Sequence, residues 1–142
     1  LAFCRERLGA DAAVTAGDGA EARLGELTGG EFFDVVVDAT GNTGSMQRSF
    51  GYVAHAGAYV LLGIVRDPIS FSDPEFHKRE TTLLASRNAT REDFETVLAA
   101  IRAGQVPTAA LNTHRATLEQ VPDLFPEWIR PETGVIKALV DL

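Results

Sequence analysis

The sequence carries a single cysteine, Cys4, among 142 residues. One thiol closes no intramolecular disulfide and builds no thiolate cluster for a structural metal, which fits a cytoplasmic protein. Positive charge is also short: 13 Lys and Arg stand against 20 Asp and Glu, for a formal net charge of −7. The densest basic stretch, His77-Lys78-Arg79, is followed at once by Glu80. No basic face is available for neutralising phosphates, so nucleic acid is excluded as a partner. No apolar run approaches the roughly 18 residues that span a bilayer, and a membrane partner is not expected. The histidines His55, His77 and His114 are far apart and lack metal-ligand spacing. Neither G-x-G-x-x-G nor G-x-x-x-x-G-K-[ST] occurs, and Ser45 does not sit in G-x-S-x-G. Repeats and low-complexity tracts are absent.

What is present is ordinary globular composition, 45% hydrophobic and 23% charged, in a chain long enough for one core. Apolar runs alternate with helical patterns. "LAFCRERLGA" reads as a helix stopped by Gly9, with Cys4 as a buried small apolar side chain on one face. "AAVTAG" (12–17) is a short strand candidate, and Asp18 three residues before Glu21 suggests a capping arrangement for a helix carrying Leu24 and Leu27. "DVVVDA" (34–39) lacks alternation, as expected of a parallel strand covered on both faces. Asn42 or Thr43 can cap a helix through Met46, Phe50 and Val53, with Gly57 just past its end.

"AYVLLGI" (58–64) and "TTLLAS" (81–86) are two further buried strands. Between them "ISF" (69–71) is extended and "DPEFHKRE" forms a helical turn with Pro74 at its start. Thr90 and Asp93 cap a helix whose Phe94, Val97, Leu98 and Ile101 keep the i, i+3, i+4, i+7 pattern until Gly104. After Gln105 the pattern changes. "LNTHRATL" is extended, Pro122 and Pro126 interrupt an apolar helix ending at Trp128, and "GVIKALVDL" closes as a strand. The fold class is therefore α/β, an open parallel sheet with helices, over 1–104, followed by a different tail over 105–142.

Parallel sheets bind ligands at the carboxyl ends of their strands. Three such ends are visible: Asp38-Ala39-Thr40-Gly41, Leu62-Gly63-Ile64 and Ala85-Ser86-Arg87. Small residues there let a flat ligand approach the backbone. Gly41-Asn42-Thr43-Gly44 has the form G-x-x-G and makes a weak phosphate cradle. Asp38 either orients a ligand or accepts backbone N–H groups, and the sequence leaves both open.

Taken together, "DVVVDATG", "GAYVLLGI" and "TTLLASR" resemble the fourth, fifth and sixth nucleotide-domain strands of the zinc-type medium-chain alcohol and polyol dehydrogenases. "THRATLEQVPDLF" is similar to the H-R-x-x-L segment that returns to that family's catalytic domain, and "GVIKALVDL" to its closing strand with a basic residue. "SDPEFHKRETTLLASRNATREDF" resembles the branch acting on sugar acids and polyols, of the galactonate type. The resemblance implies the distal strands of an incomplete Rossmann-like sheet with a tail belonging to the catalytic domain. It implies a fragment that begins, at Leu1, downstream of the glycine-rich turn, the ribose-binding acid and the zinc ligands. Such a piece is expected to be inactive alone and to bind no zinc, while the parent enzyme uses zinc with NAD or NADP to oxidise a secondary alcohol.

By position, the resemblance places Ala39, Thr40, Gly41, Leu62, Gly63, Ile64, Ala85, Ser86 and Arg87 along the nicotinamide half of the cofactor, and Lys137 at its pyrophosphate. It also makes Ile69, Ser70 and Phe71 the strand that pairs two copies in a homo-oligomer. "DVVVDA" is expected to leave one edge open, to be paired by "AAVTA" or by self-association. A non-catalytic nucleotide-sensing module, a dimerisation unit and a methyltransferase-like α/β domain remain as alternatives.

Overall fold

The computed structural model describes all residues from Leu1 to Leu142. The chain forms two compact units, one of Leu1 with Ala12–Asn88 and one of Ala2–Asp11 with Ala89–Leu142. This grouping follows backbone packing and differs from the division at 104/105 drawn from the sequence pattern.

The larger unit holds a three-stranded, all-parallel sheet in the order β1 (Phe33–Asp38), β2 (Val53–Leu61), β3 (Thr82–Ala85). Val36, Tyr59 and Leu83 are aligned across the three strands, and so are Asp38, Leu61 and Ala85. Residues two apart share a face, so these two rows lie on one side of the sheet. That side carries the core: Tyr59 is fully buried and Asp38 is 3% exposed. Tyr59 donates its hydroxyl to the Met46 carbonyl at 2.8 Å and meets Phe50 edge-on at 4.8 Å. The opposite row of Val35, Val37 and Leu84 is 60%, 53% and 49% exposed. The two-sided burial expected of "DVVVDA" and of "TTLLAS" is thus corrected. Both are edge strands, since the order β1-β2-β3 leaves only β2 flanked on both sides, and both also leave a face exposed.

Three local expectations also change. Residues 12–17 join no sheet, so the outer edge of β1 is unpaired in this chain. The helix α2 (Ala20–Leu27) is entered through Gly19 in the left-handed region and not through a capping box at Asp18. The helix α3 (Thr43–Arg48) does begin at Asn42, whose Oδ1 accepts from the Ser45 N–H, but it stops at Arg48. A 3₁₀ turn over Ser49–Tyr52 leads directly into β2. Val53 follows a helical spacing from Met46 and Phe50, yet it is fully buried as the first residue of a strand. Sheet pairing overrides the local period here.

The start of β2 is irregular. Phe33 pairs with Val53, and two residues later Val35 pairs with Ala58, so β2 accommodates three extra residues. Ala56 takes the left-handed conformation, φ 59°. Arg79 secures this segment twice: its carbonyl accepts the Ala56 N–H at 2.7 Å, and its Nη1 donates to the Val53 carbonyl at 2.6 Å. Strain of this kind persists where surroundings over-determine it. Gly57 completes the fit, because a Cβ there would lie 2.8 Å from Val53 Cγ1 and 2.9 Å from the Asp34 carbonyl oxygen. Between β2 and β3, Pro74 lies in the first turn of α4 (Asp73–Lys78).

The smaller unit contains α1 (Ala2–Leu8), α5 (Arg91–Arg102), α6 (Thr108–Leu111), α7 (Val121–Trp128) and two paired strands, β4 (Asn112–Thr117) and β5 (Lys137–Asp141). Cys4 on α1 is half-buried rather than buried. Thr90 and Asp93 form the anticipated capping box at α5, and the hydrogen bonds from Thr90 hold the Asp93 carboxyl below its usual range. β4 and β5 run parallel, and Arg115 on β4 grips Asp141 on β5 with two hydrogen bonds of 2.6 and 3.3 Å. The prolines do not interrupt α7. Pro122 sits in the first turn, where its missing N–H has no partner to lose, and Pro126 removes one bond from a helix only 8 residues long.

Gly57→Ala is expected to destabilise the chain by about 1–3 kcal/mol through overpacking against the Asp34 backbone, read as a lowered midpoint in urea unfolding with an unchanged slope.

Candidate functional site at the strand ends

The common register brings Asp38, Leu61 and Ala85 level, so the three loops that follow emerge side by side. The first loop is organised by the Asp38 carboxylate. Its Oδ1 accepts the Thr40 N–H and the Thr40 hydroxyl, each at 2.8 Å, and its Oδ2 accepts the Ser45 hydroxyl at 3.1 Å. The Asp38 carbonyl accepts the N–H groups of Leu62 and Gly63 at 2.9 and 3.0 Å. Of the two readings left open for Asp38, the structure places its side chain on its own loop. A buried carboxylate is stable when such donors satisfy it.

Gly41 and Gly63 bring the first and second loops into contact. Gly41 has φ 60°, and a Cβ on Gly63 would lie 2.7 Å from the Gly41 nitrogen. Only glycine at 63 allows this backbone-on-backbone approach. The third loop joins through the Ser86 N–H, which donates to the Leu61 carbonyl at 3.1 Å.

A cleft of about 460 Å³ opens where these loops meet. Gly63, Ile64, Ala85, Ser86 and Arg87, all singled out by sequence, line it. Its volume lies within the range of ligand sites, and its walls are mainly apolar with a few polar groups at the mouth. Ala39, Thr40, Gly41 and Leu62 are not among the lining residues. The Thr40 hydroxyl is already engaged, donating to Asp38 and accepting the Asn42 N–H. Lys137 stands on β5 in the smaller unit, exposed, and is not among the cleft residues.

Sequence reasoning missed Met46, Leu61, Val65, Asp67 and Ile69 as lining residues. Met46 had the signature of a core helix position and Asp67 that of a turn, so only the folding of the 62–69 segment over the strand ends could reveal them. Residues 69–71 join neither sheet and make no hydrogen bonds within the chain, since no strand of this chain lies beside them.

No group of three or more His, Cys, Asp or Glu is placed to hold a metal ion. His55, His77 and Cys4 do not converge, and His114 lies against Trp128 at 6.2 Å in the smaller unit. No helix is long and apolar enough to cross a membrane.

Parallel β-strands whose ends converge on small residues define the class of fold, a Rossmann-like parallel α/β sheet. The family model for zinc-binding dehydrogenases matches residues 1–103, and the chain belongs to that family. L-galactonate-5-dehydrogenase of Escherichia coli (strain K12) is 34% identical over 120 residues, which are 84% of this chain and 35% of the relative. Sorbitol dehydrogenase of Halalkalibacterium halodurans is 26% identical over 68% of this chain and 29% of its own. The chain thus spans about a third of the length of these curated relatives. A short chain alcohol dehydrogenase of Escherichia coli CFT073, solved with NADH, superposes with a TM-score of 0.84 at 18% identity, covering 96% of this chain and 40% of the other.

Asp38→Asn turns an amide N–H toward groups that donate, and is expected to cost about 1–3 kcal/mol in urea unfolding. Tyr59 supplies a second test. Burial, and then the negative charge of Asp38, push its phenol up from 10.0 to about 12. The folded state therefore resists ionisation longer than the unfolded chain. The stability this confers is complete below pH 10 and is lost as pH rises through 12. Tyr59→Phe is expected to flatten that part of the unfolding free energy against pH, measured between pH 9 and 12 in roughly unit steps.

Proposed function

We propose that this chain is the part of an NAD(P)-dependent zinc-type dehydrogenase that orients the nicotinamide, in an enzyme oxidising a secondary alcohol of a polyol or sugar acid. The observation that carries the reading is the convergence of three strand ends on the cleft beside Gly63, Ala85 and Ser86. The likeness to L-galactonate-5-dehydrogenase supports the substrate class.

In this reading the cofactor accepts hydride at its nicotinamide ring, and the chain's own residues decide how that ring lies. Backbone groups near Gly63 and Ala85 hold the carboxamide and so select the face that reacts. The apolar walls from Leu61 and Ile64 exclude water from one side of the ring. Ala39, Thr40 and Gly41 border the adjoining ribose, with Thr40 held in place by Asp38. Arg87 lies along the nicotinamide half with Ala85 and Ser86, and in the parent enzyme Lys137 supplies positive charge toward the pyrophosphate. The chain by itself carries no residue assigned to the chemical step and is proposed to be inactive alone. Its contribution is binding and orientation, the protein's share of cofactor chemistry.

Oligomerisation belongs to the same proposal. Ile69, Ser70 and Phe71 offer unpaired backbone groups, and an open strand of this kind pairs readily with a second copy.

Thermal-shift titrations test the cofactor reading. NAD, NADP and nicotinamide mononucleotide are expected to raise the melting temperature, with about 1.4 kcal/mol of stabilisation at a concentration tenfold above Kd. S-adenosylmethionine should have no effect, and Ala85→Arg, which fills the cleft, should remove the nicotinamide response. An absent response to all three nicotinamide ligands, or a response to S-adenosylmethionine alone, sinks the reading.

A further inference from the structure

A second cleft, of about 350 Å³, lies in the larger unit and shares no lining residue with the first. It sits beside the starts of β2 and β3, next to Gly51 and Thr81, and of its lining residues the proposed function uses only Phe71, in the oligomer strand. Three phenylalanines build its walls. Phe50 and Phe71 stack with ring centroids 4.6 Å apart at 25°, and Phe76 lies 5.0 Å from Phe71 and 6.3 Å from Phe50. The faces of aromatic rings carry negative potential, so such walls favour a cation with an apolar body.

Three charged side chains line the same cleft: Glu21, Glu75 and Arg79. The Arg79 charge is already committed. Its Nη1 donates to the Val53 carbonyl at 2.6 Å, its guanidinium lies 5.3 Å from the centre of the Phe32 ring, and Glu75 Oε2 stands 4.0 Å from its Nε. Glu75 also faces the Lys78 ammonium at 3.8 Å. Glu21 has no such partner, for it takes part in neither an ion pair nor a side-chain hydrogen bond. Its Oε1 lies 3.6 Å from the point that a Cβ on Gly51 would occupy, so the absent side chain at 51 leaves the carboxylate room over the cleft. The uncommitted charge of the cleft is therefore one carboxylate beside an aromatic wall.

We propose that this cleft binds a small organic ammonium with an aryl or alkyl body, its charge on Glu21 and its apolar part among Phe50, Phe71 and Phe76. An acidic aryl ligand of the same size would add a further negative charge beside Glu21, with Arg79 already engaged by the Val53 carbonyl and Glu75. The volume suits a molecule of roughly ten heavy atoms, at the small end of ligand sites.

The test titrates the 142-residue chain with phenethylammonium, 2-phenylethanol and phenylacetate by calorimetry and amide chemical shifts. Phenethylammonium is expected to bind with a Kd of roughly 1 mM and at least about tenfold more tightly than phenylacetate, with the neutral alcohol between them. Its affinity should fall with added salt, as expected of an exposed ion pair. Glu21→Gln, at an exposed position, should weaken phenethylammonium about fivefold to tenfold while leaving the alcohol unchanged. Phe76→Leu should weaken the ammonium more than the alcohol, through the lost ring face. Shifts should appear at Gly51 and Thr81 and not at Gly63 or Ser86, which separates this cleft from the cofactor reading. Equal affinity for the three ligands, no saturable binding, or Glu21→Gln without effect would each overturn the proposal.

Discussion

The register that puts Asp38, Leu61 and Ala85 in one row across three parallel strands sets the positions of the loops that follow, and the candidate site is made of those loops. Parallel pairing leaves no freedom to shift a strand by one residue, because the slip would carry Tyr59 from the core to the open face. Tyr59 is held there by its hydrogen bond to the Met46 carbonyl and by Phe50. Packing at the middle of the sheet is thereby translated into alignment at its end. Asp38 and the Gly41–Gly63 contact then join the first two loops into one surface.

The same sheet shows how unevenly the fold is covered. One face has a small, tight centre of Met46, Val53 and Tyr59, while Val35, Val37 and Leu84 are exposed on the other. The outer edge of β1 is unpaired as well. In a doubly wound sheet both faces are normally covered, and valines at adjacent positions of one strand are the mark of that arrangement. The chain spans about a third of the length of its curated relatives. Membership in the zinc-binding dehydrogenase family rests on residues 1–103, and the parallel α/β fold agrees with it.

Much of the site was legible before folding, for chemical reasons. Glycines and small residues directly after apolar runs mark strand ends where a backbone must be approached, and Gly63, Ala85 and Ser86 do line one cleft. Thr90 and Asp93 announced their capping box because the interaction is local and spans three residues. Less local features were misread. Val53 kept helical spacing with Met46 and Phe50 but pairs with Phe33, twenty positions earlier, and no local period contains that partner. Pro122 and Pro126 suggested an interrupted helix, yet in a helix of two turns their cost is a single missing bond.

The sequence by itself determined the class of fold, the order of most elements and the residues at three strand ends, since each depends on hydrophobic period, turn chemistry or steric size within a few neighbours. Tertiary structure alone decided which ends meet, what the buried carboxylate of Asp38 binds, and that Arg79 and Gly57 accommodate three extra residues at the start of β2. It also decided that Phe50, remote in sequence from Phe71 and Phe76, closes with them around a second cleft. The Asp38 carboxylate binds within seven residues of itself; the other features share one physical reason. Contacts between residues twenty or more positions apart are selected by burial and backbone pairing across the sheet, and neither is written in any short stretch of chain.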